Sequence, residues 1–230
     1  FMKKSVSLKL IIFSFLLVAG SVTYSAPVIG SGTATNSTVA GVNNEASGEY
    51  SSAVGFNNTA TGVNSSALGN QNKASGRNSS AVGYNNAATE MSSSAFGLSN
   101  TATGMNSSAV GFNNKASGIN SSAFGTQYKV TGEASGAFGV GKATWNNTTK
   151  VFDYDYINEG KNSYMFGNYN KIAAGTQNNF ILGNNVSIGS GINNSVGLGN
   201  GSTVSSSNEV SVGSATLKRK ITNVADGDVS

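Results

Sequence analysis

Val63-Asn64-Ser65-Ser66-Ala67-Leu68-Gly69-Asn70-Gln71-Asn72-Lys73-Ala74-Ser75-Gly76 is one copy of a repeat that decides the fold. Its first glycine belongs to a series, Gly41, Gly55, Gly69, Gly83, Gly97, Gly111, Gly125 and Gly139, spaced by fourteen without a slip. A second series, Gly48, Gly62, Gly76, Gly104, Gly118 and Gly132, lies seven residues out of phase and is broken by Glu90. Seven units run from Thr35 to Gly132. A fixed period of this kind marks a stacked repeat architecture.

Seven plus seven does not make a coiled coil here. Heptads need large apolar residues at two positions, whereas each half-unit ends in glycine and is filled with serine, asparagine and threonine, which are poor helix formers. The local pattern alternates instead. In Ser51-Ser52-Ala53-Val54-Gly55-Phe56 one parity holds Ser51, Ala53 and Gly55, and the other holds Ser52, Val54 and Phe56. Period two predicts strands, and glycines with Asn-Asn pairs supply corners that accept positive φ. Each unit therefore reads as two short strands and two turns, one coil of a β-solenoid. An isolated coil cannot fold. Its two or three larger side chains are worth about 1.5–3 kcal/mol each, and ordering fourteen backbones costs on the order of 14–28 kcal/mol. Stacking shares ladder hydrogen bonds and one interior. The small parity (Ala53, Ala67, Ala81, Ala95, Ala109, Ala123) suits a narrow interior. The larger parity (Val54, Leu68, Val82, Phe96, Val110, Phe124) then faces outward as an apolar stripe, and burying that stripe against identical chains predicts a homo-oligomer. The alternative is a monomer with the opposite parity inside. At ~4.8 Å per coil the seven units span about 34 Å.

Composition narrows the chemistry. The 230 residues contain no cysteine, no histidine, one proline and 30 glycines, and only 10% are charged. The commonest nucleophile–base pairs, most transition-metal sites and every disulfide are removed. Without Lys3, Lys4 and Lys9 the chain is close to neutral, so nucleic acid is not an expected partner. Met2-Lys3-Lys4, the apolar run from Leu10 to Ala19 and Ser25-Ala26 read as a secretory signal over residues 1–26, too short in its apolar core to span a membrane. The mature chain is then expected outside the cytoplasm.

The repeated Asn-Ser-Ser-Ala-Val-Gly and Ala-Ser/Thr-Gly halves resemble the head repeats of YadA-like trimeric autotransporter adhesins. The segment from Asn208-Glu209-Val210-Ser211-Val212-Gly213 through Arg219-Lys220-Ile221-Thr222-Asn223-Val224-Ala225-Asp226-Gly227 resembles that family's neck. The resemblance implies an all-β, left-handed parallel β-roll, homotrimeric about a common axis. It also implies display on a Gram-negative cell surface and adhesion to host receptors or extracellular matrix proteins. The family's stalk and outer-membrane anchor are expected after the neck, so a chain stopping at Ser230 reads as a fragment. The chain also resembles fusobacterial members that bind CEACAM receptors. The organisation expected is a signal over 1–26, a mature N-terminal segment over 27–34, regular repeats over 35–144, an aromatic insertion over 145–159, irregular coils over 160–207 and a neck over 208–230.

The insertion interrupts the period after Gly139. It holds Trp145, the only tryptophan, with Phe152, Asp153, Tyr154, Asp155 and Tyr156. Insertions in repeat proteins map to external loops or hairpins, and Val151 to Ile157 alternates well enough for a protruding strand. Aromatic residues of this kind anchor protein interfaces, so these six are the expected receptor-binding residues. The competing reading is that the aromatics pack on a neighbouring coil or chain. Phe56, Asn70, Tyr84, Leu98, Phe112 and Thr126 form a second column at the corners, placed to grip an extended partner or to cover the turns. From Gly160 onward Phe166, Ile181, Leu182, Ile188, Val196 and Leu198 are expected to supply the core. Lys218, Arg219 and Lys220 are expected to make inter-chain contacts, with polyanion binding as the alternative.

Enzymatic readings fail on detail. Gly136-Ala137-Phe138-Gly139-Val140-Gly141-Lys142-Ala143 lacks the hydroxyl of a phosphate-binding loop and falls inside the repeat. Asp153, Asp155, Asn158 and Glu159 lack the spacing of a calcium loop. No second carboxylate faces the acidic cluster for glycoside hydrolysis. The expectation is a non-enzymatic adhesin head without cofactor or metal. Its alternatives are a spacer or self-association module and, more remotely, a solenoid lyase.

Overall fold

The computed structural model describes residues 28–225, so the signal read over residues 1–26 lies outside the described residues. Each regular coil contributes one long and one short strand, such as Ser52–Phe56 and Thr59–Ala60. The long strands form a 13-stranded sheet and the short strands an 11-stranded sheet. Successive coils pair in parallel and strictly in register, with Ala53 opposite Ala67, Gly55 opposite Gly69 and Thr59 opposite Lys73. This is the β-solenoid that the fourteen-residue period predicts.

The parity follows the sequence. Ala53, Ala60, Ala67, Ala74, Ala81 and their equivalents are fully buried between the two sheets. The larger parity stays outside, with Leu68 36% and Phe96 38% exposed in the single chain. A monomer with the large residues inside is thereby excluded. Phe124, Phe138 and Phe166 continue the outer stripe as a stack, with ring centroids 5.2 and 4.6 Å apart.

The two glycine series have different causes. Gly55 and Gly69 adopt φ near +118° and +116° within the long strands, and a Cβ at Gly69 would stand 2.1 Å from the Gly83 carbonyl oxygen. Gly62 and its equivalents have ordinary φ and are required only by close stacking. The left-handed corners fall to other residues: Asn57, Asn64, Gln71, Asn78, Asn85 and Ser92 all have φ of 54–58° at seven-residue spacing. Asparagine is the side chain that best tolerates that region.

A buried asparagine ladder runs beside the alanines. Asn58, Asn72, Asn86, Asn100 and Asn114 lie inside the roll. Nδ2 of Asn72 is shared among the Leu68 carbonyl at 2.9 Å, the Gly83 carbonyl at 2.7 Å and Oδ1 of Asn58 at 3.0 Å. Its own Oδ1 accepts from the backbone N–H of Asn86 at 3.0 Å. Each rung thus satisfies backbone groups of its own and the following coil that the corner leaves without sheet partners, and its bond to the preceding coil is side chain to side chain.

Tyr128 replaces the next asparagine. The chain leaves the roll at the following rung, and the fully buried Tyr128 reaches across that gap. Its hydroxyl donates to the Gly167 carbonyl at 2.9 Å and accepts from the Asn170 N–H at 3.2 Å. Asn170 then resumes the ladder, accepting from the Val186 N–H. Burial pushes the Tyr128 phenol up to about 12.

The ends and the late coils depart from the regular pattern. Val28–Ser31 pairs antiparallel with Thr38–Val42 and covers the first edge of the long-strand sheet. Beyond the insertion the register steps by sixteen, Phe166 to Leu182 to Leu198. The interior widens there to Met165, Ile172, Ile181, Val186, Ile188 and Val204. Leu182 is therefore not core as expected: it is exposed on the outer stripe, and Phe166, Val196 and Leu198 are half-buried beside it. Arg219 turns back into its own chain, donating to the carbonyls of Val212 at 2.7 Å and Asn200 at 2.6 Å and to Ser202 Oγ at 3.1 Å. Arg219 thereby caps the last coil of its own chain.

Two stability tests follow from this geometry. Gly69→Ala meets both the stacking contact and the positive φ and should cost about 3 kcal/mol or more, whereas Gly175→Ala, with open space around it, should cost about 1 kcal/mol. Chemical denaturation of the two variants measures the difference. Tyr128→Phe leaves the Gly167 carbonyl and the Asn170 N–H unpaired and should cost about 1–3 kcal/mol. Because the folded phenol titrates above its unfolded value, wild-type stability is intact below pH 10 and falls as pH rises towards 12. Part of that fall, read by melting at stepped pH, should disappear in Tyr128→Phe.

Candidate binding surface

The insertion is an antiparallel hairpin, Ala143–Asn146 paired with Val151–Tyr154. It leaves at the corner where a ladder asparagine would stand. Its turn is closed by Asn146, whose Oδ1 accepts from the N–H groups of Thr148 and Thr149 and whose Nδ2 donates to Asp153 at 2.8 Å. At the base the Asp155 N–H donates to the Lys142 carbonyl, and the two side chains form an exposed ion pair at 3.7 Å.

The hairpin folds back along the roll, and its alternation divides the six expected residues. Tyr154 faces the roll, its hydroxyl 3.2 Å from both the carbonyl and the side-chain oxygen of the buried Asn113. Desolvation there pushes its phenol up to about 12. Tyr156 is half-buried against Tyr169, with centroids 5.3 Å apart. Phe152 is also half-buried and meets Trp145 edge-on at 5.1 Å. Trp145 itself remains 46% exposed. Asp153 and Asp155 point to the opposite, solvent-facing side. The structure therefore brings together Trp145 with Phe152 at the hairpin's flank and Asp153 with Asp155 on its outer face, and it turns the two tyrosines towards the roll.

Two further features flank the hairpin. The corner column keeps Phe56, Tyr84, Leu98 and Phe112 exposed. A groove of about 300 Å³ separates the hairpin from the roll, between Phe152 and Tyr154 on one side and Ala87, Thr101 and Lys115 on the other. Sequence reading missed this groove because it depends on the direction in which the hairpin folds. The contact of Tyr154 with Asn113, forty-one residues earlier, sets that direction and has no local signature. Among the described residues no group of three or more histidine, cysteine, aspartate or glutamate side chains is placed to hold a metal ion.

Comparison with known proteins places this geometry. Among curated proteins none matches the sequence. Among solved structures, the collagen-binding domain of the Yersinia adhesin YadA aligns over 80% of this chain and 77% of its own, at 23% identity and a TM-score of 0.33. The family described as YadA head domain repeat, two copies to a match, matches residues 33–58, 60–86, 88–114 and 102–127. These segments coincide with the regular coils built on the asparagine ladder. Within residues 33–127 the chain is thus similar to the YadA head domain repeat.

Proposed function

We propose that the chain is the head of a homotrimeric surface adhesin that attaches a bacterium to host receptors or extracellular matrix by multivalent protein–protein binding. The observation that carries this reading is the outer stripe. Leu68, Phe96 and the stacked Phe124, Phe138 and Phe166 form one apolar column along the whole roll, half-exposed in the single chain. A continuous patch of this kind marks an association surface, and a stripe parallel to the roll suits a cyclic bundle of rolls. Ile221 and Val224, about 70% exposed at the C-terminal end, extend the same need for partners into the segment read as the neck.

Export by the N-terminal signal and anchoring in the outer membrane through segments beyond the neck complete the proposal. In a bundle joined at the stripe, the hairpins project from the periphery. Trp145 and Phe152 supply an aromatic anchor, with Asp153 and Asp155 beside it, and three equal modest sites on each rod act through avidity. Host surface receptors, CEACAM receptors among them, or extracellular matrix proteins are the partners that the family resemblance implies. Tyr154 and Tyr156, turned towards the roll, favour the other reading in part, in which the hairpin braces a spacer and binding resides elsewhere.

Light scattering of the purified head should give three times the chain mass, and Leu68→Asp with Phe96→Asp should shift it towards monomer. A single-chain mass for the folded wild type would reject the trimer. Trp145→Ala combined with Asp153→Asn and Asp155→Asn, in a head still trimeric by scattering, should lower binding to host cells at least about tenfold. Undiminished binding would assign the hairpin to the spacer reading.

A further inference from the structure

The near-neutral charge of the chain hides a segregated one. The outward-facing first residue of each short strand forms a column on the face opposite the apolar stripe. Parallel register brings Lys73, Lys115, Lys129 and Lys171 into it. Lys115 and Lys129 sit on adjacent coils, about 5 Å apart, with Lys171 roughly 10 Å beyond and Lys73 roughly 14 Å before. The two ion pairs found among the described residues use Lys142 and Lys161. None of the four column lysines makes an ion pair or a side-chain hydrogen bond there. Glu45 is the first member of this column, and Asp155 and the half-buried Glu159 lie two residues before and after its member Ile157, with Asp155 already paired to Lys142.

The same column floors the groove under the hairpin. Ala87, Thr101 and Lys115 are consecutive members of it. Ala87 leaves room where a larger side chain would fill the space. Asn85 and Ser99 line one rim, and Phe152 forms a wall. A chain entering the groove along the roll axis meets an aromatic face, amide and hydroxyl groups, and then the lysines of Lys115 and Lys129. Aromatic surface with a few placed polar groups is the usual make-up of a small-molecule site. Here it opens onto a line of unpaired cations.

We propose that this face binds a sulfated linear polysaccharide, laid along the roll with one sugar against Phe152 and its anionic groups on the lysine column. Such a ligand is distinct from the protein receptor assigned to Trp145, Asp153 and Asp155, and the two sites share only Phe152. The site uses point charges on flexible stems, which suit anions spaced along a polymer more than one fixed bidentate contact.

The test is binding of the trimeric head to immobilised heparin, desulfated heparin and single-stranded DNA over a salt series. Wild type should bind heparin and lose affinity steeply with salt. Lys115→Gln with Lys129→Gln should weaken it about tenfold and flatten the dependence of log affinity on log salt by about two units, by the counterion argument worked out for nucleic acids. Phe152→Ala should weaken binding without changing that slope. Desulfated heparin should bind no better than the double-lysine variant binds heparin. Host-cell receptor binding by the double-lysine variant should be unchanged, which separates this site from the hairpin's outer face. Equal heparin binding by wild type and double variant, absence of binding at physiological salt, or equal retention on DNA would each overturn the proposal.

Discussion

The backbone of this roll is held at its repeat distance by a side chain. At the corner between long and short strand the chain turns too sharply for the ladder to continue, so carbonyls and an N–H of adjacent coils lose their sheet partners. The buried asparagine supplies both missing functions, its amide nitrogen to carbonyls of its own and the following coil and its oxygen to the next coil's N–H. That works only if the coils approach closely, and the glycines of the long strands permit it. Gly83 must lack a Cβ for the same oxygen of Gly97 that Asn86 binds at 2.6 Å to come near. Glycine and asparagine are two parts of one device, which accounts for their shared period.

From that device the rest of the molecule follows. A roll closed tightly on alanine has no room for a large core, so its larger apolar side chains go outside. An outside stripe that cannot face water calls for partners, and identical partners are always at hand. The two sheets then acquire different duties: the long-strand face carries the apolar stripe, and the short-strand face remains polar and carries the lysines and the groove. In the later coils, where isoleucine and methionine fill a wider interior, the period lengthens to sixteen and the ladder stops at Val186. Core volume and ladder geometry trade places along one chain.

Much of this was readable in the residues. The glycine spacing fixes the coil, and strict alternation in Ser52-Ala53-Val54 fixes which side each residue takes. Alternation fails where the backbone enters positive φ. Gly55 and Asn57 both do so, and Asn58 consequently turns inward among the alanines, although its polarity argues for the surface. Tyr128 stands out in the sequence as the one aromatic at a rung position, but its task depends on a partner forty-two residues later. The hairpin was predictable as an excursion; its two faces were not, because Tyr154 chooses between them through a contact remote in sequence. The antiparallel first strand and the Arg219 cap each rest on one or a few hydrogen bonds with no periodic signature.

Tyr128 shows how a crystalline stacking scheme tolerates a passenger. One phenol, longer than an amide, performs at a distance the duties of a rung that has been given up, and the strands above and below keep their register. A solenoid equipped in this way can acquire decoration at any storey by two local changes, a tyrosine for an asparagine and a loop inserted one turn later. Its reach and its ornament can therefore evolve separately.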